Sequence, residues 1–274
     1  MRRHPGEMLW ATAVWAVVVF FVVNLLAMIG AVAVNSFGTH WFNSWLPAGY
    51  TTQWYSLAWN EFQLPAILLV TAEVVGAVVL LSALIGVPTA YAMARREFPG
   101  KRAAMLLFLL PLMVPPITYG IPLATVLYQA HLAGAISGVI LANLVPSVPF
   151  VILIMIPFVE QIDPRVEAAA RVFGAGMFRL FIQILVPLLA PGILAALMLV
   201  LVRTIAMFEL TFLTSGPNSQ TLVVALYYAV FAAGVRPGQS IDAMAVVYMV
   251  TTLAWLMVAL RFVNPSQIVT RAKR

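Results

Sequence analysis

Residues 135–158 read AISGVILANLVPSVPFVILIMIPF and contain no Asp, Glu, Lys, Arg or His. A helix over this stretch is about 36 Å long, more than the roughly 30 Å hydrocarbon layer of a bilayer. Five further stretches are predominantly apolar: 9–34, 64–94, 103–127, 184–214 and 241–263. Over all 274 residues, 63% are hydrophobic and 9% charged, and the mean hydropathy is +1.01. A soluble domain carries about 25% charged residues. Too few charges remain here to wet a compact surface, so lipid must face much of the chain. The expected architecture is all-α and polytopic: six transmembrane helices in one domain over 1–274, with its core at 64–263.

The charged residues set the sidedness. Arg2 and Arg3 precede span one, and Arg95, Arg96, Lys101 and Arg102 join spans two and three. Arg165, Arg171 and Arg179 lie between spans four and five, and Arg261, Arg271, Lys273 and Arg274 close the chain. Thirteen of the 15 basic residues thus share one side; Arg236 lies opposite and Arg203 sits within a span. The positive-inside rule makes that side the cytoplasm and puts both termini there. A pI near 10.0 could suggest nucleic acid, but no basic face accompanies it. No cysteine occurs, which excludes disulfides and thiolate chemistry. His4, His40 and His131 have no metal-ligand spacing. Arg2-Arg3 and Ala31-Val32-Ala33 flank an apolar run as in a signal peptide, but the run exceeds the usual 7–15 residues. An uncleaved first span is the preferred reading.

Two external loops follow from six spans. The first, 35–63, holds Trp41, Trp45, Trp54, Tyr55 and Trp59, rings suited to the headgroup layer or to a docking partner. The second, 215–240, carries an apolar piece at 222–231 that reads as a short helix or a strand. Pro111, Pro115, Pro116 and Pro122 crowd span three, with Pro146 and Pro149 in span four, so kinked inner helices are expected. Gly134–Gly138 offers small residues for close helix contact.

Between spans four and five the chain reads DPRVEAAARVFGAGMFR over 163–179. Asp163 can cap a helix whose first residue is Pro164, where a missing N–H costs nothing. Alanines sustain it, Glu167 can pair with Arg171, and Val166, Ala169, Ala170 and Phe173 form an apolar stripe. Gly174 and Gly176 permit a sharp turn. Such a helix could enter a groove on another protein or lie in the interface; the pattern alone supports both.

This loop resembles the signature of permease subunits of ATP-binding-cassette importers: Glu-Ala-Ala, three residues, Gly, and a later proline. Ala169, Ala170, Gly174, Ala175, Ile184 and Pro187 match that register. The family's conserved glutamate falls at Ala168, and Glu167 stands one position earlier. Trp54-Tyr55, Ala90-Tyr91-Ala92-Met93-Ala94-Arg95, residues 109–116 and residues 212–222 also look like this family, most closely its spermidine/putrescine branch. The resemblance implies a coupling element at 163–187 made by Asp163, Arg165, Glu167, Ala168, Ala169, Ala170, Arg171, Phe173, Gly174, Ala175 and Pro187. It implies a second permease subunit (a heterodimer rather than a homodimer), two ATP-binding subunits, an external solute-binding protein and a small solute, which likeness to that branch would make a polyamine. The expected location is the bacterial cytoplasmic membrane. No Gly-x-x-x-x-Gly-Lys-[Ser/Thr] loop occurs, so ATP and Mg are expected on the partners and no cofactor on this chain.

Glu73, Tyr119, Asn143, Arg203 and Glu209 are the pathway or gating candidates. Charge is costly within a bilayer, so Arg203 and Glu209 must face protein or water. Six positions apart, they lie about 240° around an ideal helix and cannot stack, which leaves Glu73 as a candidate partner for Arg203, with contact to solute or a gating role as the alternatives. Tyr128, Tyr227 and Tyr228 are weaker candidates, with helix packing the plainer reading. An autonomous secondary transporter and a structural scaffold are the rival functions, separated from the importer by whether an ATPase is required.

Overall fold

A chain crossing lipid must satisfy its backbone internally, and helices do so segment by segment. The computed structural model describes residues 5–42, 46–231 and 236–262, and every regular element among them is helical. In order these are α1 (Pro5–Phe37), α2 (Gln53–Glu61), α3 (Leu64–Arg95), α4 (Lys101–Met113), α5 (Pro116–Gln129), α6 (Ile136–Glu160), α7 (Pro164–Val172), α8 (Met177–Leu180), a π-helical turn (Phe181–Leu185), α9 (Val186–Ile205), α10 (Glu209–Thr214), α11 (Leu222–Phe231) and α12 (Gly238–Phe262). Five uninterrupted helices are long and apolar enough to cross a membrane, and the pair α4 and α5 completes a sixth span if taken as one. The apolar piece at 222–231 is the helix α11, not a strand. Arg2, Arg3, His4, Trp45, Arg271, Lys273 and Arg274 lie outside the described residues.

Span three departs most from expectation. It is not a kinked helix but two helices bent by 103°. A residue before proline is driven toward extended backbone. In Val114-Pro115-Pro116 this happens twice in succession: Val114 has ψ 134° and Pro115 ψ 135°. Pro111 and Pro122 stay inside their helices, as do Pro146, Pro149 and Pro157 in α6. Adjacent prolines break this chain; isolated ones do not.

The chain divides into two compact units: residues 1–64 with 228–250, and residues 65–227 with 251–274. In the first, Trp41 Nε1 donates to Asn35 Oδ1 at 2.7 Å while the Asn35 amide donates to Asp242. Trp54 Nε1 donates to the Gly38 carbonyl at 2.7 Å, and Arg236 pairs with Glu61 at 2.9 Å above the Phe62 ring. Two of the loop tryptophans are thus tied by hydrogen bonds, while Trp59 remains exposed on α2.

The second unit is built on α6. Val139, Val151, Ile152, Met155 and Val159 of α6 pack with Val74, Val78 and Val87 of α3 and with Leu189, Ala196 and Val200 of α9. Lipid tails are as apolar as these side chains, so contact density rather than removal from water holds the helices together. A hydrogen bond between the start of α11 and α3 adds to this: the Leu222 N–H donates to Thr71 Oγ1 at 2.9 Å.

Candidate functional site

The segment between α6 and α9 is fastened at both ends of α7. Asp163, extended at ψ 122°, accepts the Arg165 N–H at 2.9 Å, and Pro164 follows at the first helical position. At the other end the Ala175 N–H donates to the Ala170 carbonyl and the Gly174 N–H to that of Arg171. Gly174 has φ 80°, the left-handed conformation this paired closure needs. Gly176 has an ordinary φ of −67°, so the turn depends on one glycine, not two. Replacing Asp163 by Ala is expected to cost about 1 kcal/mol of capping, speeding amide exchange at Arg165 about fivefold. Hydrogen-exchange mass spectrometry checks this, and an unchanged rate contradicts the cap.

The apolar stripe of α7 divides, and only Ala170 of it turns inward. Glu167 and Ala170 are buried, while Val166, Ala169 and Phe173 face outward. Glu167 is also not engaged in the expected salt bridge with Arg171. Its Oε2 accepts from Tyr91 Oη at 2.6 Å and its Oε1 from Arg95 Nε at 2.7 Å. Arg95 also donates through Nη2 to the Ile162 carbonyl. A carboxylate on a residue this buried needs such partners, because burying it unpaired is costly. Tyr91 and Arg95 were visible in the sequence only as part of a familiar stretch. Their spacing of four puts both on one face of α3, which is the signal that could have assigned them.

Outward, this segment presents Val172 (86% exposed), Phe173 (89%) and Phe178 (82%), among the exposed cations Arg165, Arg171 and Arg179. Ala168 is exposed, and Ala175 packs against the core cluster. Beside them a groove of about 460 Å³ is lined by Pro88, Tyr91, Ala92, Arg96, Met177, Phe178 and Phe181. Phe181 meets Tyr91 edge-on, with centroids 5.9 Å apart, and opens the π-helical turn. The Val186 N–H closes that turn on the Phe181 carbonyl. Next comes Pro187, whose missing N–H removes the α-helical donor to the Gln183 carbonyl. An apolar, cation-flanked projection on a rigid base is suited to recognition, not bond-making chemistry.

Tyr119 lies within electrostatic reach of both Arg203 and Glu209, whereas no such contact joins Glu73 to them among the described residues. Span five ends at Ile205, and Glu209 opens the separate α10, so the continuous-helix angle between Arg203 and Glu209 does not apply. Arg203 does not pair with Glu73: its guanidinium lies 5.2 Å from the Phe150 ring centroid, and it is absent from the ion pairs of the described residues. Glu73 sits on the exposed face of α3. Asn143, 1% exposed, donates to the Val139 carbonyl and to Thr211 Oγ1. Neither Asn143 Oδ1 nor Tyr119 Oη has a partner. Thr211 was missed because α10 reads as a continuation of span five. Tyr227 packs tilted against Phe208 and edge-on against Phe212, and Tyr128 is exposed.

This fold is that of an ATP-binding-cassette transporter's membrane subunit. Against the crystal structure of a bacterial ABC transporter involved in the import of the acidic polysaccharide alginate, the TM-score is 0.79 at 15% identity, covering 96% of this chain and 100% of that one. Residues 82–268, more than half of the sequence, match the family described as binding-protein-dependent transport system inner membrane component, and the chain belongs to that family. It is similar to the molybdenum transport system permease protein ModB of Escherichia coli strain K12, with 30% identity over 62% of this chain and 81% of the relative. It is also similar to the spermidine/putrescine transport system permease protein PotC of the same strain, with 26% identity over 98% of this chain and 96% of the relative. Three other permeases are matched over 52% to 67% of their own length.

Proposed function

We propose that this chain and a second permease subunit, different from it in sequence, form the path of a small solute across a bacterial inner membrane. Two ATP-binding subunits drive the path by hydrolysing ATP with Mg, and an external solute-binding protein loads it. Both termini and α7 lie on the cytoplasmic side, where the basic residues collect. The observation that carries the reading is the exposed Val172-Phe173 tip on a helix whose opposite face is bonded to α3. A rigid base with an apolar tip transmits a push from a partner, and a path with two states converts that push into alternating access.

For the solute we favour a polyamine. Glu73 is exposed on α3 and Glu209 is partly exposed beyond the helix break, while the cation of Arg203 rests on Phe150. The likeness to PotC over 98% of the chain supports the same choice. The test is the ligand retained by the cognate binding protein, titrated with spermidine, putrescine, molybdate, amino acids and sugars. Selective spermidine or putrescine binding is expected; selective molybdate binding overturns the polyamine assignment and leaves the importer reading intact.

A further inference from the structure

We infer that Tyr91, Arg95 and Glu167 form a strut that makes α3 move with the coupling helix α7. The inference rests on the importer reading above. Covalently, α7 is joined only to α6 and α9, so a push on it reaches those two helices through the chain. The third connection is chemical. Both oxygens of Glu167 are bonded to α3, one to Tyr91 at 2.6 Å and one to Arg95 at 2.7 Å. The second arm of Arg95 reaches the Ile162 carbonyl, just before α7 begins. Arg95 therefore holds the approach to α7 and its first turn at once.

Burial makes this contact stiff. The Glu167 side chain is 10% exposed and that of Arg95 15%. If α7 shifted while α3 stayed, a carboxylate, a guanidinium and a phenol would each lose a partner in a place where water replaces it poorly. Moving the two helices together avoids that loss. The motion has a destination. Glu73 lies 18 positions before Tyr91 on the same uninterrupted α3, about 27 Å along its axis, on the helix's exposed face. The strut thus links the helix that receives the push to the carboxylate proposed to meet solute. Tyr91, Arg95 and Glu167 are positioning residues; none of them touches solute.

The test uses the full transporter in proteoliposomes with its ATPase and binding protein, comparing wild type, Tyr91→Phe, Glu167→Gln and the double variant. The readout is solute imported per ATP hydrolysed. Each single variant is expected to lower that ratio by about 5–150-fold, the span of ordinary coupling energies, and the double is expected to fall no lower than the worse single. The chain has no cysteine, so spin labels at Arg96→Cys, just past the end of α3, and Ala168→Cys on α7 report the distance from the end of α3 to α7. That distance is expected to hold through the ATP cycle in the wild type and to vary in Glu167→Gln. Should Glu167→Gln fail to assemble, Tyr91→Phe, which keeps the carboxylate and its arginine, decides the matter. Single variants with a wild-type ratio, or losses that multiply in the double, overturn the strut. Wild-type uptake that ignores the ATPase overturns instead the importer reading beneath it.

Discussion

Replacing Phe173 by Asp is expected to lower ATP-driven uptake about 30-fold or more. The ring is 89% exposed, so within this chain it buries almost nothing and its removal leaves no cavity. The turn that follows is made by backbone bonds from Gly174 and Ala175 and does not involve the ring. Insertion and α7 itself are therefore expected to survive. What the substitution destroys is an apolar anchor, and it puts a carboxylate where the partner expects a ring. Anchors of this kind carry roughly 2–4 kcal/mol of an interface, the equivalent of 30-fold or more in affinity. Co-purification of the ATP-binding subunits should fall in parallel with uptake. Unchanged uptake and unchanged co-purification would remove Phe173 from the interface and leave Phe178 as the exposed aromatic to test.

The second large effect is on stability. Gly138 opens the first turn of α6, and a Cβ there would lie 2.2 Å from the Leu132 carbonyl oxygen and 2.9 Å from its carbon. Both are backbone atoms, so no side chain can swing aside. The loop before α6 cannot easily yield either. Leu132 and Ala133 donate to the Leu127 carbonyl, Gly134 donates to that of Thr214, and Ser219 Oγ donates to that of Gly134. Gly138→Ala is expected to cost about 2–3 kcal/mol, in the range of overpacked interiors. A thermal melt in detergent should show a clear fall. Gly76→Ala is the control: nothing stands within 4 Å of its added Cβ inside α3, and its melt should match or slightly exceed the wild type. Equal melts for both variants would contradict the close approach at Gly138.

Much of the fold was legible because lipid imposes simple demands. Apolar length marked the spans, and Asp163-Pro164 with Gly174 marked α7 to within a residue or two, since caps are local chemistry. What escaped notice was either non-local or a competition between local signals. The partner of Glu167 is 72 positions away on α3, and a local pairing rule points to Arg171 instead. The stripe of Val166, Ala169, Ala170 and Phe173 reads as a face for a partner's groove or for the interface, and all of it but Ala170 does face outward. The bonded carboxylate on the other side leaves no mark in that local pattern. Span three was read as kinked because each proline was weighed singly, whereas the pair 115–116 forces two extended residues in a row. The break after Ile205 has no proline or glycine to announce it, which is why Arg203 and Glu209 were placed on one helix.

We propose above that an external ATPase drives these helices through α7. The most direct test is solute uptake into proteoliposomes carrying this chain, its companion permease and the binding protein, with and without the ATP-binding subunits. ATP-dependent uptake that disappears when those subunits are omitted is the expected result. Uptake that continues at the same rate without them would contradict it.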